Sequence, residues 1–189
     1  MARVFLIRHG EAAAAWGGDD DDPGLSAAGH VQAAAAAERL AGLGPLAALS
    51  SPMRRCRETA APYELRRGGP ALIEPHVSEV PTPSGVADRP SWLRQNFPWR
   101  GGEPRLWTSL DSNLKAWRDA VLARVRAIDE DTAVFSHFIA INVIVGAALD
   151  RPETIVCKPG YASITELSVS PSGLQLVRFG EEMQTGEVR

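Results

Sequence analysis

Three short apolar runs in this chain end in groups that can hold a phosphate. The first closes on Arg8-His9-Gly10-Glu11, the second on Ser50-Ser51-Pro52-Met53-Arg54-Arg55, and the third on Ser136-His137. Guanidinium groups present a planar fork that matches phosphate oxygens in pairs. Imidazole changes its charge near neutral pH and can carry or give a proton there. In open parallel sheets the ligand lies beyond the carboxyl ends of the strands. Three segments far apart in sequence are thus expected to turn polar side chains toward one crevice.

The elements that must hold these groups are readable from pattern. Arg3 to Arg8 is a continuous apolar run rich in strand formers, as suits a strand buried on both faces. After a loop from Ala12 to Gly24, Ser26 reads as a helix cap, and Val31 to Leu40 is nearly pure helix former, stopped by Gly42 and Gly44-Pro45. Leu46 to Leu49 reads as a second strand. Met53 to about Tyr63 comes next as helix, with Pro52 in its first turn. Ala71 to Ile73 is a weaker third strand.

From Glu79 to Pro104 the composition changes to proline, tryptophan and glycine, an irregular insertion with one short helix. Leu110, Leu114, Trp117, Val121, Val125 and Ile128 recur at helical spacing, which predicts the longest helix over Leu106 to Ile128. Thr132 to Ser136 is a strand, Ile139 to Leu149 the helix behind it, and Ser163 to Ser170 with Leu174 to Phe179 a hairpin. Strands alternating with helices imply an α/β fold with a largely parallel sheet.

With 189 residues the chain suits one domain, 1–189, carrying an insertion. A chain of this size buries roughly 70% of its unfolded surface. The net charge of -3 argues against a nucleic-acid partner, although 18 of the 20 cations are arginine. Cys56 and Cys157 form no CxxC pair, so a reduced, cytoplasmic setting is expected. The start of the chain shows no signal-peptide pattern. The longest apolar stretch, Val134 to Leu149, is interrupted by Ser136, His137 and Asn142 and falls short of the ~20 apolar residues that a membrane span needs.

Taken in order, the motifs resemble those of the histidine phosphatase superfamily, also called phosphoglycerate mutase-like proteins. Arg-His-Gly-Glu stands at Arg8 to Glu11, and Leu-Ser-x-x-Gly-x-x-Gln-Ala at Leu25 to Ala33. Ser-Ser-Pro-Met-x-Arg-x-x-x-Thr-Ala stands at Ser50 to Ala60, the second-histidine strand at Val134 to His137, and Ala-Ser-Ile-Thr at Ala162 to Thr165. The fold expected is a three-layer α/β/α sandwich with a mostly parallel central sheet and a short inserted cap at about 80–131.

The resemblance implies roles. His9 is the nucleophile, attacking as neutral imidazole to form a phosphohistidine that water hydrolyses. Arg8 and Arg55 clamp the phosphoryl oxygens, and His137 donates to the same oxygens and stabilises the transition state. The general acid is a carboxylate after the third strand. Glu79 is assigned that role, with Glu74 and then Asp88 as rivals. No metal and no cofactor are called for, and the four aspartates Asp19 to Asp22 read as a solvated acidic loop because they lack the alternate spacing of a calcium loop. Cys56 reads as a small buried side chain, Arg54 and Arg57 as solvent-facing or ion-paired, and His30 and His76 as surface residues.

The chain departs from the family's mutases in two places. Glu79 is followed by Val-Pro-Thr-Pro-Ser-Gly in place of a Gly-x-Trp-Glu-Gly-like stretch. Ala12 to Ala15 replace polar positions, and Trp16 is followed by Gly17 in place of the usual asparagine. Both favour hydrolysis. The expected function is a metal-independent phosphomonoesterase acting on a small phosphorylated molecule. The alternatives are a phosphoglycerate-type mutase, a phosphoprotein phosphatase and a non-catalytic phosphate-binding regulatory protein. Arg89, Arg94, Arg100 and Arg105 in the insertion either recognise a second anionic group or keep a tryptophan-rich flap soluble, and tryptophans taken as exposed there point to a homodimer.

Overall fold

Alternate residues of the first strand, β1 (Ala2–Arg8), enter two different cores. Val4 and Leu6 pack on one face of the sheet, Phe5 and Ile7 on the other, and all four are fully buried. This explains why the strand reads as an unbroken apolar run: neither face meets water. The computed structural model describes residues 1–14 and 22–183. Ala15, Trp16, Gly17 and Asp19 to Asp21, with their sequence readings, lie outside the described residues.

The remaining elements are α1 (Ala27–Ala41), β2 (Ala47–Ser50), α2 (Arg54–Arg67), β3 (Leu72–Ile73), α3 (Arg89–Asn96), α4 (Ser112–Arg126), β4 (Thr132–Ser136), α5 (Phe138–Ala148), β5 (Ile164–Ser170) and β6 (Gly173–Arg178). The six strands lie in the order β3-β2-β4-β1-β5-β6. β1 with β4, β2 with β4 and β2 with β3 run parallel, while β5 is antiparallel to both β1 and β6. The sheet is mostly parallel, with an antiparallel edge supplied by the expected hairpin. Helices α1 and α2 supply the core on the Phe5 face, and α4, α5 and the insertion supply that on the Val4 face. The three-layer α/β/α architecture is the one expected.

Register brings the polar strand ends together. Arg8 pairs with Ser136 and Ser50 with Phe135, so β1, β2 and β4 finish at one level. Beyond the ladders, the backbone N–H of His9 donates to the Ser136 carbonyl at 2.9 Å and that of Ser51 to the Phe135 carbonyl at 3.0 Å.

Several boundaries differ from those expected. α4 starts at Ser112, because the Asp111 carboxylate accepts the N–H groups of Asn113 and Leu114 and Trp107–Ser109 makes a separate 3-10 turn. At 15 residues it equals α1 in length, so it is not the single longest helix. α2 begins after Pro52 and runs past Pro62 to Arg67, ending where Gly68 adopts a φ of 79°, a left-handed conformation suited to glycine. The tryptophans of the insertion are not exposed. Trp99 and Trp107 are buried, and Trp92 and Trp117 are half-buried against the same core, which removes the ground for expecting a dimer there. They pack in or against the core instead.

Candidate active site

The loop that carries His9 is built from backbone contacts that only small residues permit. Gly10 and Gly29, at the first turn of α1, touch backbone to backbone: a Cβ on Gly10 would meet the Gly29 carbonyl oxygen at 2.7 Å, and one on Gly29 would collide with the Glu11 carbonyl. The amide of Gly10 donates to the Thr59 hydroxyl at 2.9 Å and that of Glu11 to the Gln32 side chain at 2.8 Å. Ser26 caps α1 through the Gly29 N–H and donates to the Glu11 carboxylate at 2.8 Å. Glycine, glutamine and threonine of the second and third motifs thus hold the first motif in place.

His9 is fully buried, and its Nδ1 donates to the Gly10 carbonyl at 2.8 Å. With the proton held on Nδ1, the Nε2 lone pair is available, and Nε2 makes no hydrogen bond within the protein. Burial, and then the charges of Arg55 and Arg8, push its pKa well below the ordinary histidine value, so the ring stays neutral. The His137 ring lies 5.2 Å from that of His9, edge on. Its Nδ1 accepts from Arg55 Nη2 at 3.2 Å and its Nε2 donates to the Ser51 hydroxyl at 2.8 Å. Burial and then Arg55 lower the His137 pKa in the same direction.

Arg8 and Arg55 sit in the same buried pocket. Arg8 Nε and Nη2 and Arg55 Nε make no hydrogen bond within the protein, so both guanidinium groups retain donors for an anion. Arg55 Nη1 lies 3.7 Å from Asp22, the one described member of the acidic run, whose carboxylate also accepts the Arg54 N–H at the start of α2. The side chain of Arg54 pairs with Glu58, and Arg57 is exposed.

The structure separates the three candidate acids. Glu79 is 8% exposed, with Oε1 accepting from Val80 N–H at 3.0 Å and Oε2 from Ile139 N–H, two residues past His137, at 3.4 Å. Burial raises its pKa, against the pull of those amides, Arg55 and Arg89. Glu74 instead pairs with Arg124 Nε at 2.5 Å and with His76 at 2.8 Å; although burial acts to raise it, the His76 N–H and Arg124 hold its pKa below the ordinary value. Asp88 is exposed and caps α3 through Ser91. Of the three, only Glu79 faces the arginine and histidine pocket. The Ser136 hydroxyl, bonded to the Val77 carbonyl at 2.6 Å, ties β4 to the segment that leads to it.

Sequence reasoning missed Ser51 as a partner of His137, although Ser51 stands inside the motif that begins at Ser50. Cys56 is buried as expected and also lies 3.3 Å from His137 Nε2; burial pushes its thiol pKa far up, which removes it as a nucleophile. His30 and His76 are exposed. Among the described residues, no group of three or more His, Cys, Asp or Glu side chains is placed to hold a metal ion. None of the described helices is long and apolar enough to cross a membrane.

Comparison with known proteins places the chain in a family. A probable phosphatase of Schizosaccharomyces pombe is 32% identical, over 75% of this chain and 71% of that protein. An uncharacterized protein of Mycobacterium tuberculosis is 31% identical, over 71% of this chain and 72% of that one. Among solved structures, mycobacterial glucosyl-3-phosphoglycerate phosphatase superposes with a TM-score of 0.71 at 22% identity, covering 97% of this chain and 100% of that chain. Phosphoserine phosphatase from Entamoeba histolytica gives 0.70 at 19% identity, covering 97% and 98%. These two likenesses show a shared fold. Residues 4–182 match the sequence pattern of the histidine phosphatase superfamily (branch 1), and the chain belongs to that family.

Proposed function

We propose that this phosphatase of the histidine phosphatase type hydrolyses a small phosphorylated molecule through a phosphohistidine, without a metal. The observation that carries the reading is the His9 ring: Nδ1 bonded to the Gly10 carbonyl, Nε2 bare, and Arg8, Arg55 and His137 around it. Nε2 attacks phosphorus, the N–P bond forms as the ester P–O bond breaks, and Glu79 gives its proton to the leaving oxygen. Water then attacks phosphorus, Glu79 takes a proton from it, and the P–N bond breaks to release phosphate and the free imidazole. Two guanidinium groups and His137 offset the charge of the equatorial oxygens. Neutral in the free protein, His137 gains a proton when a phosphate dianion enters beside it. The names of the two structural neighbours, phosphatases of glucosyl-3-phosphoglycerate and of phosphoserine, support a small-molecule substrate.

The test is p-nitrophenyl phosphate turnover in excess EDTA, wild type beside His9→Ala. Turnover should persist in the wild type and fall by about three orders of magnitude or more in the variant. Turnover that survives in the variant removes His9 as nucleophile, and none in the wild type favours a phosphate-binding regulatory protein.

A further inference from the structure

Arg8 is held from several sides. Its Nη1 donates to the Pro159 carbonyl at 2.9 Å and to the Met183 thioether at 3.0 Å. Two aromatic rings lie against the guanidinium, Tyr161 at 4.1 Å from the ring centre and Phe138 at 5.1 Å. One edge remains, Nε and Nη2, buried and without an acceptor in the protein. That edge is the bidentate face of an arginine.

Tyr161 is itself fixed from both sides. Gly160 N–H donates to the Glu181 carbonyl at 2.7 Å and Ala162 N–H to the His9 carbonyl at 3.4 Å. Ala162 adopts a φ of 51°, a conformation side chains other than glycine seldom take. The segment therefore accepts a strained backbone at the residue after the tyrosine, and the tyrosine ring comes to rest 6.3 Å from His9 as well as against Arg8.

We propose that Tyr161 is a positioning residue for the phosphoryl site, its ring setting the plane of the Arg8 guanidinium so that the Nε–Nη2 edge faces the phosphoryl oxygens. The inference rests on the proposed function only in taking Arg8 as an anion ligand. Hydrogen bonds at Nη1 anchor one corner of the group but leave it free to tilt about that corner. A stacked ring removes the tilt, and a two-point contact tolerates only ~10–20° of it. The Met183 sulfur is a weak acceptor and cannot do this alone.

The test is binding of inorganic phosphate to the full chain by calorimetry, which needs no turnover. Tyr161→Leu should weaken binding about tenfold, the scale of a desolvated cation–π contact. Tyr161→Phe, which keeps the ring, should recover most of that loss. In an Arg8→Lys background, where there is no planar edge to orient, Tyr161→Leu should cost nothing further. If Tyr161→Leu does not fold, the comparison of Tyr161→Phe with Tyr161→Met carries the same test. The proposal is overturned if the leucine variant binds like the wild type, if phenylalanine fails to rescue, or if the loss persists unchanged in the Arg8→Lys background. A wild type that does not bind phosphate overturns it too. A wild type that binds phosphate yet turns nothing over overturns the phosphatase reading alone, and the expected losses among the variants would still support Tyr161 in this role.

Discussion

Two histidines share a buried pocket with two arginines, and this company decides the charge that each carries. Burial, Arg55 and Arg8 push His9 toward neutrality, while burial pushes Glu79 toward its protonated form. A neutral imidazole beside a protonated carboxyl is the pair that the proposed transfer to histidine needs. Below the lowered His9 pKa the ring is protonated and cannot attack, so the acid limb of kcat/KM lies well under the ordinary histidine range. Above the raised Glu79 pKa the carboxyl cannot donate, so the alkaline limb lies above the ordinary glutamate range. The expected profile on an alkyl phosphate is a bell with an acidic to near-neutral optimum. Glu79→Gln should cost about 10²- to 10⁴-fold on that substrate, and under about tenfold on p-nitrophenyl phosphate, whose leaving oxygen hardly needs a proton. Equal losses on the two substrates would remove Glu79 as the acid.

The loop that carries His9 depends on how closely α1 can approach it. At Gly29 an added Cβ meets the Glu11 carbonyl, and neither backbone can yield without moving His9. Gly29→Ala is expected to lose about 3 kcal/mol, within the range for overpacking, which lowers Tm by about 6–12 °C in a chain of this size. Gly42, just past the end of the same helix, has an ordinary φ of -73° and only a van der Waals contact at 3.5 Å. Gly42→Ala should leave Tm unchanged or slightly higher, because alanine reduces the freedom of the unfolded chain. Thermal unfolding of the two variants side by side separates close approach from helix propensity. α5 contributes differently: it places Ile139 N–H against Glu79 and Phe138 against Arg8, with His137 just before its first turn.

The inserted stretch at about 80–131 does not sit apart from the sheet. Leu93, Phe97, Trp99, Trp107, Leu110 and Leu114 belong to the same buried cluster as Val4, Leu6 and α5. Trp99 packs edge on against Phe138, the residue after His137, so the insertion buttresses the site from behind. An insertion that shares the sheet's core predicts one cooperative transition. Trp107→Ala should cost about 3–5 kcal/mol and lower a single calorimetric peak as a whole. A peak that splits, with only one part shifting, would mean that the insertion folds as its own unit.

The meeting of Arg8, His9, Arg55 and His137 was legible along the chain because Arg8, His9 and His137 end or follow strands of recognisable pattern and Arg55 lies in the first turn of the helix after β2. Parallel strands that finish at one level must gather the residues at their ends. The same local logic found Ser26 as a cap and the late hairpin. It placed the start of the long helix at Leu106, because apolar spacing continues through the 3-10 turn and only the Asp111 cap marks the true start. The resemblance put Glu79 ahead of Glu74, but residue type and spacing supplied no physical reason for that order. Their environments differ because Glu74 is met by Arg124, fifty positions on, while Glu79 is closed in by the first turn of α5. Nor does any motif announce Tyr161, which gains its neighbour Arg8 only when the end of the chain folds back beside β1. Spacing and caps are local physics, carried by a few consecutive residues. Burial, and the partner a charged group finds there, belong to segments that meet only once the sheet is complete.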